Sequence, residues 1–215
     1  MKKILNCGLL LFLLFIYIFI SAQSYVSAVS ADLSNAVFRL HVIANSDSTE
    51  DQTLKLQVRD ALLKFMNDIC ANCSTKEEAI AIAQLYQVEF EEIATKTILD
   101  NGYNYSVKIN IDHFYFPTKN YGDISLPAGL YDALRVEIGE AKGQNWWCVM
   151  FPTLCFIDIS TGIIDENAKE NLVQNLEEES YNIVSSSNKS DIKFKFKIIE
   201  FFAENNLFEI AKKDK

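Results

Sequence analysis

Histidine is nearly missing from this chain: only His41 and His113 occur, with no HxxxH or HxH spacing. A zinc site would have to rest on cysteine, where Cys70-x-x-Cys73 is the one pair at ligand spacing. In an exported protein those thiols read as a local bridge or as free thiols, so no metal and no cofactor are expected. Proline is as scarce: Pro117, Pro127 and Pro152 are the full set, which excludes proline-rich tracts. Five of the seven glycines fall between residues 102 and 143. Gly139-x-x-x-Gly143 lacks the Lys-Ser/Thr of a phosphate loop and reads as a flexible turn. Basic residues number 20 against 29 acidic ones, a formal charge of −9. That balance excludes the basic face a nucleic acid needs, disfavours an anionic lipid surface, and reads as solubility. There are no internal repeats.

The amino terminus supplies what the rest lacks, a long apolar run. MKK is followed by uninterrupted apolar residues from Leu9 to Ile20, then by the small and polar SAQSYVSAVSA. That order matches a secretory leader, with candidate cleavage after Ala22, Ala28 or Ala31. The competing reading is an uncleaved anchor, although the run falls short of the ~20 residues a spanning helix needs. Residues 1–31 are therefore expected to be a signal peptide or amino-terminal membrane segment, and 32–215 a single exported domain. Contact with a membrane is expected only through that first segment. Its removal takes away Lys2 and Lys3 and no acid, leaving the remainder more acidic still.

Export permits disulfides, and Cys70, Cys73, Cys148 and Cys155 would remain after leader removal. Four cysteines allow three pairings. A turn at Phe151-Pro152-Thr153 could fold Cys148 back onto Cys155, within bridging reach. Cys148–Cys155 is the favoured pair.

Hydrophobic periodicity predicts an α+β fold: an amino-terminal strand and two helices, a central antiparallel-type β region, and a helical carboxy-terminal part. Phe38, Leu40 and Val42 alternate with Arg39 and His41, a strand pattern over 36–44. Asn45-Ser46-Asp47-Ser48 breaks it and offers N-caps for a helix to about Ile69, with Leu54, Val58, Leu62, Phe65 and Met66 as its stripe. Asp47 and Asp51 read as capping acids, and Asp51, Lys55 and Arg59 as a solvated ion-pair ladder at four-residue spacing. A second helix opens at Ser74 or Thr75 and continues through Ile98 to Asn101-Gly102. Residues 103–116, 131–138 and 146–159 are strand candidates, and 120–123 and 127–129 are turns. Residues 165–184 read as a helix, followed by a short strand feeding a last helix.

Both tryptophans, Trp146 and Trp147, sit side by side after the Gly139–Asn145 loop. Adjacent residues of a strand point to opposite faces, so one ring can enter the core while the other serves a second layer or a partner. Asn145, Trp146, Trp147, Tyr131 and Arg135 are the candidate partner-binding residues, because interface hot spots favour Trp, Tyr and Arg. A two-sided buried strand is the plainer alternative.

Three stretches carry a family resemblance in order: FRLHVIANSDSTEDQTLKLQVRDALL (38–63), FPTKNYGDISLPAGLYDALRVEIGEAKG (116–143) and GEAKGQNWWCVMFPTLCF (139–156). Together they resemble the stage II sporulation protein R family over roughly residues 37–160. The resemblance implies a secreted signalling protein of endospore formation, made in the forespore and exported across its membrane into the intermembrane space. It further implies a partner, the membrane-embedded aspartic protease stage II sporulation protein GA of the mother cell, which processes the precursor of sigma-E. No catalytic residue is expected. The alternative is an exported cysteine- or acid-dependent hydrolase of the cell envelope, using Cys148 with His41 or His113, or an acid pair.

Overall fold

Alternation along FRLHVI is the root of the architecture. A computed structural model describes residues 2–121, 124–152, 174 and 176–185. In it Phe38–Ile43 forms strand β1, and all six of its residues are buried. The other strands are β2 (Val107–Phe116), β3 (Lys119–Tyr121), β4 (Ile124–Leu126), β5 (Gly129–Ile138) and β6 (Asn145–Phe151). The main sheet has four strands in the order β2-β5-β1-β6, and β3 pairs with β4 in a separate hairpin. β1 runs parallel to β5 and antiparallel to β6, while β2 is antiparallel to β5. The first strand is thus inserted between later ones, making the sheet mixed.

Register sorts the side chains into two faces. Phe38, Leu40 and Val42 share one face with Leu134, Val136, Ile138, Ile109 and Cys148. The packed helices are α2 (Thr49–Ile69), α3 (Lys76–Leu85) and α4 (Gln87–Asp100). Leu54, Val58, Leu62 and Met66 of α2 and Phe90, Ala94 and Ile98 of α4 are buried in the same core as that face. Phe65 meets Phe90 edge to face at 4.9 Å. Burial of apolar area at ~25 cal/mol per Å² makes this layer the main source of stability.

Helix starts follow their capping chemistry. Ser48 caps α2 by accepting from the Asp51 amide, and Thr75 caps α3 by accepting from that of Glu78. The expected single helix from Thr75 to Ile98 is interrupted at Tyr86, which belongs to neither α3 nor α4. There Tyr86 packs its ring on Phe65 at 6.1 Å. Cys70 and Cys73 are bridged, with Cα atoms 5.0 Å apart, and close the turn between α2 and α3. Cys148 is buried in β6. Its expected partner Cys155 lies outside the described residues, as does most of the predicted carboxy-terminal helical part; α5 (Glu178–Val184) is the described portion.

The expected boundary between 31 and 32 falls inside a continuous helix, α1 (Lys2–Ala36). Leu9 to Ile20 is exposed, and among the described residues no helix is long and apolar enough to cross a membrane. Val29, Leu33 and Ala36, in contrast, are buried in the core. Polar ties reinforce this end: Ser34 donates to the Leu130 carbonyl at 2.9 Å, and Lys76 donates to the Ser34 carbonyl at 3.1 Å. Lys76 is also paired with Asp132 at 2.6 Å. The last two turns of α1 are therefore part of the domain.

Candidate functional site

Each candidate residue is placed by strand register and by the loop preceding β6. Asn45, Ser46 and Asp47 form a turn after β1 onto which residues 139–144 are pinned. Gly143 donates to the Ala44 carbonyl at 2.9 Å, Glu140 to Asn45 Oδ1 at 3.0 Å, and Gln144 to Asp47 Oδ1 at 2.7 Å. A Cβ at Gly143 would lie 2.1 Å from the Ser46 carbonyl oxygen, and Gly139 adopts φ +58° with Asn45 against it. The Gly139–Gly143 segment is thus tied down rather than flexible, and its glycines permit close backbone approach.

Two further expectations are corrected here. Asp51 does not cap the helix with its carboxylate, which accepts from Asn45 Nδ2 at 2.8 Å and Ser46 Oγ at 2.6 Å. Burial works to raise its carboxyl pKa, but the hydrogen bonds from Ser46, Asn45 and Tyr105 outweigh it and hold the group below the usual carboxylate range. Nor do Asp51, Lys55 and Arg59 form a solvated ladder. Lys55 is buried and donates to Gln52 Oε1 and to the Gln144 carbonyl. Arg59 lies over the Trp146 ring at 4.2 Å. The periodicity was real, but the docked loop covered the face that looked exposed.

The tryptophans diverge as a strand requires. Trp146 faces α2 beneath Arg59, whereas Trp147 faces the other side of the sheet. That second side is organised in rungs, and one rung reads Asn110, Arg135, His41 and Trp147 across the four strands. His41 and Trp147 stack at 3.7 Å, with ring planes 18° apart. His41 Nε2 pairs with Asn145 Oδ1 at 2.7 Å. Burial drives the His41 pKa down to about 4; the Asn145 bond opposes that, and the charges of Arg135 and Arg39 add to it. The imidazole is neutral at pH 7, so Nε2 donates to Asn145 and Nδ1 carries the lone pair.

Arg39 lies one rung away and is wholly buried. Its guanidinium sits 4.0 Å from the Phe116 ring centroid and 4.7 Å from that of Tyr131, and donates to Tyr121 Oη at 2.6 Å. Tyr121 in turn donates to the Trp147 carbonyl at 3.2 Å, so the β3–β4 hairpin closes over this end of the face. Phe116 is the common wall, 4.8 Å from Trp147 and 5.9 Å from His41. The far end stays accessible: Asn145 is exposed, and Trp147, Arg135, Glu137 and Phe114 are half-buried. Arg135 pairs with Glu137 at 2.9 Å.

Of the five expected partner-binding residues, Asn145, Trp147, Tyr131 and Arg135 share this face, and Trp146 does not. Tyr131 is buried and spends its hydroxyl on the Pro127 carbonyl at 2.8 Å, which pre-empts direct contact with a partner. Burial pushes its phenol pKa up to about 12. Sequence reasoning missed Arg39, Phe116 and Tyr121. The only available signal was an arginine and a histidine on the polar side of a strand that proves buried on both faces.

Among the described residues this geometry does not bring Cys148 and His41 together. Cys148 lies on the helix-covered face while His41 lies on the other. His113 sits on β2, at the opposite edge of the sheet from β6, and pairs with Asp132 at 2.8 Å. Among the described residues no group of three potential ligands could hold a metal ion.

Comparison with known proteins bears on residues 34–161, which match the family described as stage II sporulation protein R. A curated relative, stage II sporulation protein R of Bacillus subtilis (strain 168), is 40% identical over 130 residues, covering 60% of this chain. The match spans 58% of that relative's length. No solved structure matches.

Proposed function

The chain belongs to the stage II sporulation protein R family, and from that premise we propose that it is a secreted signal of endospore formation. In this reading it is made in the forespore, exported into the intermembrane space, and recognised there by the membrane-embedded aspartic protease stage II sporulation protein GA. Its binding favours the active form of that protease, which then processes the precursor of sigma-E. A ligand shifts such an equilibrium only by its differential affinity for the two states, so the chain needs a recognition surface and no chemistry of its own.

The observation that carries the reading is the position of that surface. Arg39, His41, Phe114, Arg135, Asn145 and Trp147 all fall within the family match, and all lie on one face of one sheet. An aromatic ring beside exposed polar groups suits a contact with another protein. Supporting the export step are the apolar exposed run Leu9–Ile20 and the small residues that follow it. The test is genetic: deletion of the gene from its spore-forming host should leave the sigma-E precursor unprocessed, and restoring the full chain should restore processing. Normal processing in the deletion strain overturns the reading.

A further inference from the structure

Buried polar atoms without a hydrogen-bond partner are concentrated on one side of this molecule. Among the described residues there are five such side-chain atoms, and four of them, Arg39 Nε and Nη1, His41 Nδ1 and Arg135 Nε, belong to the face just described. The fifth, Trp146 Nε1, is on the helix side. Native proteins pair nearly all buried polar groups, so a cluster of exceptions asks for a cause.

Arg39 is the extreme member. It is 0% exposed, always charged, and absent from every ion pair among the described residues. Its neighbours are rings and one phenol, so its charge is met by quadrupoles and a single neutral acceptor. Scarcity of acids is not the reason, because the chain has 29. The nearest rung holds Glu137's partner Arg135, whose Nη2 already takes up that carboxylate. The face carries Lys108, Arg39 and Arg135 against Glu137 and Asp112, and although Asp112 stands on Arg39's own rung, two strands away, no ion pair joins the two among the described residues.

We propose that this face receives an acidic side chain of the partner protein, whose carboxylate displaces the Tyr121 hydroxyl from its place beside Trp147 and pairs with the Arg39 guanidinium in its stead. The proposal rests on the signalling role above and deepens it by naming the chemistry recognised. Tyr121 is the resident acceptor. Its hydroxyl accepts the one hydrogen bond Arg39 makes among the described residues, and a carboxylate in its place makes a charge-assisted bond roughly twice as strong. Phe116 and Trp147 supply the apolar walls against which the methylene stem of an aspartate or glutamate packs. Exposed Asn145, bonded to His41, marks the entrance.

The test uses the full chain co-produced with the protease and its precursor substrate. A wild type that triggers no processing removes the signalling role and this site together. With a working wild type, Arg39→Met is expected to keep its melting temperature, since an apolar side chain replaces an unpaired buried charge. Its triggering should fall about tenfold or more, as for loss of a charge-assisted pair. Tyr121→Phe removes the competing acceptor and leaves Arg39 in place, so it should trigger at a lower dose of signal than wild type. A folded and fully active Arg39→Met overturns the site while leaving signalling intact. A folded Tyr121→Phe that triggers no better than wild type also overturns it, and this arm decides alone if Arg39→Met does not fold. Sedimentation of wild type as a dimer and Arg39→Met as a monomer would put the acid on a second copy and overturn the assignment to a partner.

Discussion

The two faces of the β2-β5-β1-β6 sheet are built from the same strands yet obey different rules. On the helix side, Phe38, Leu40, Val42, Leu134 and Val136 meet Leu54, Val58, Leu62 and Phe90, all essentially without exposure. Polar groups there are few and mostly paired, as with Lys76 and Asp132. On the other side the strands carry Arg39, His41, Arg135, Asn145 and Trp147, and there the unpaired buried atoms gather. A fold optimised for stability alone would not bury a guanidinium among rings when an apolar residue of similar volume would do as well or better. The contrast teaches that one face holds the domain together, while the other carries the polar groups on which the proposed recognition rests.

The sharpest way to break this division is to damage the first face. Phe90→Ala removes a buried ring packed on Phe65 and should cost about 3–5 kcal/mol of unfolding free energy by denaturant titration. Loss of triggering would then follow loss of fold. A Phe90→Ala protein as stable as wild type would contradict the assignment of the core. Acidification should weaken the second face next. His41 has its folded pKa lowered from 6.5 to about 4, so the unfolded chain binds the proton first. Stability present above pH 6.5 is therefore lost as pH falls toward 4, by up to about 3 kcal/mol. Asp51, also depressed, adds loss in the same direction at lower pH. His41→Gln should flatten the slope between pH 6.5 and 4, and an unchanged slope would rule out the histidine as its source.

Gly143→Ala tests the joint that sets Trp147 and Trp146 in register, because its Cβ would meet the Ser46 carbonyl at 2.1 Å. A loss of about 2–3 kcal/mol is expected, while Gly129→Ala, with its nearest neighbour at 3.6 Å, should cost far less. Equal costs at the two glycines would show that the pinned loop relaxes freely. Trp147→Ala should be milder for stability than Phe90→Ala, at about 1–2 kcal/mol, because the ring is only half-buried. It should nevertheless abolish triggering, and a stable, active Trp147→Ala would place recognition elsewhere. The smallest effect belongs to the leader. Cleavage before Val29 leaves the core intact, whereas cleavage after Ala31 would discard a buried valine worth roughly 1.5 kcal/mol. If the chain is exported and cleaved as proposed, amino-terminal sequencing of the mature form should therefore begin no later than Val29, and a start at Asp32 would show that Val29 is dispensable to the core.

Much of the framework was legible before any coordinates. Ser48 and Thr75 announced helix starts because a side-chain oxygen satisfies a free amide within a few residues, a purely local bond. Opposite orientation of Trp146 and Trp147 followed from the two-residue period of a strand. Other readings failed where distant segments intervene. Lys55 and Asp51 looked solvated because nothing in their helix shows that residues 139–144 dock upon it. Arg39 looked like the wet side of a strand because its cover, Tyr121 on the hairpin, is 82 residues away.

What the sequence alone determined is the family, together with β1, β2, β5, the start of β6 and the apolar stripe of α2, which follow from periodicity and local capping. β3 and β4 lie in a stretch that reads as turns, and Leu85 and Val88, which read as part of the second helix's apolar run, are exposed. Only the tertiary structure decided that β1 inserts between β5 and β6, that Arg135, His41 and Trp147 share a rung, and that Arg39 is buried among rings beneath Tyr121. Strand pairing chooses which residues become neighbours through backbone hydrogen bonds that every sequence can make. The identity of a rung is therefore set by the global register rather than by any one strand.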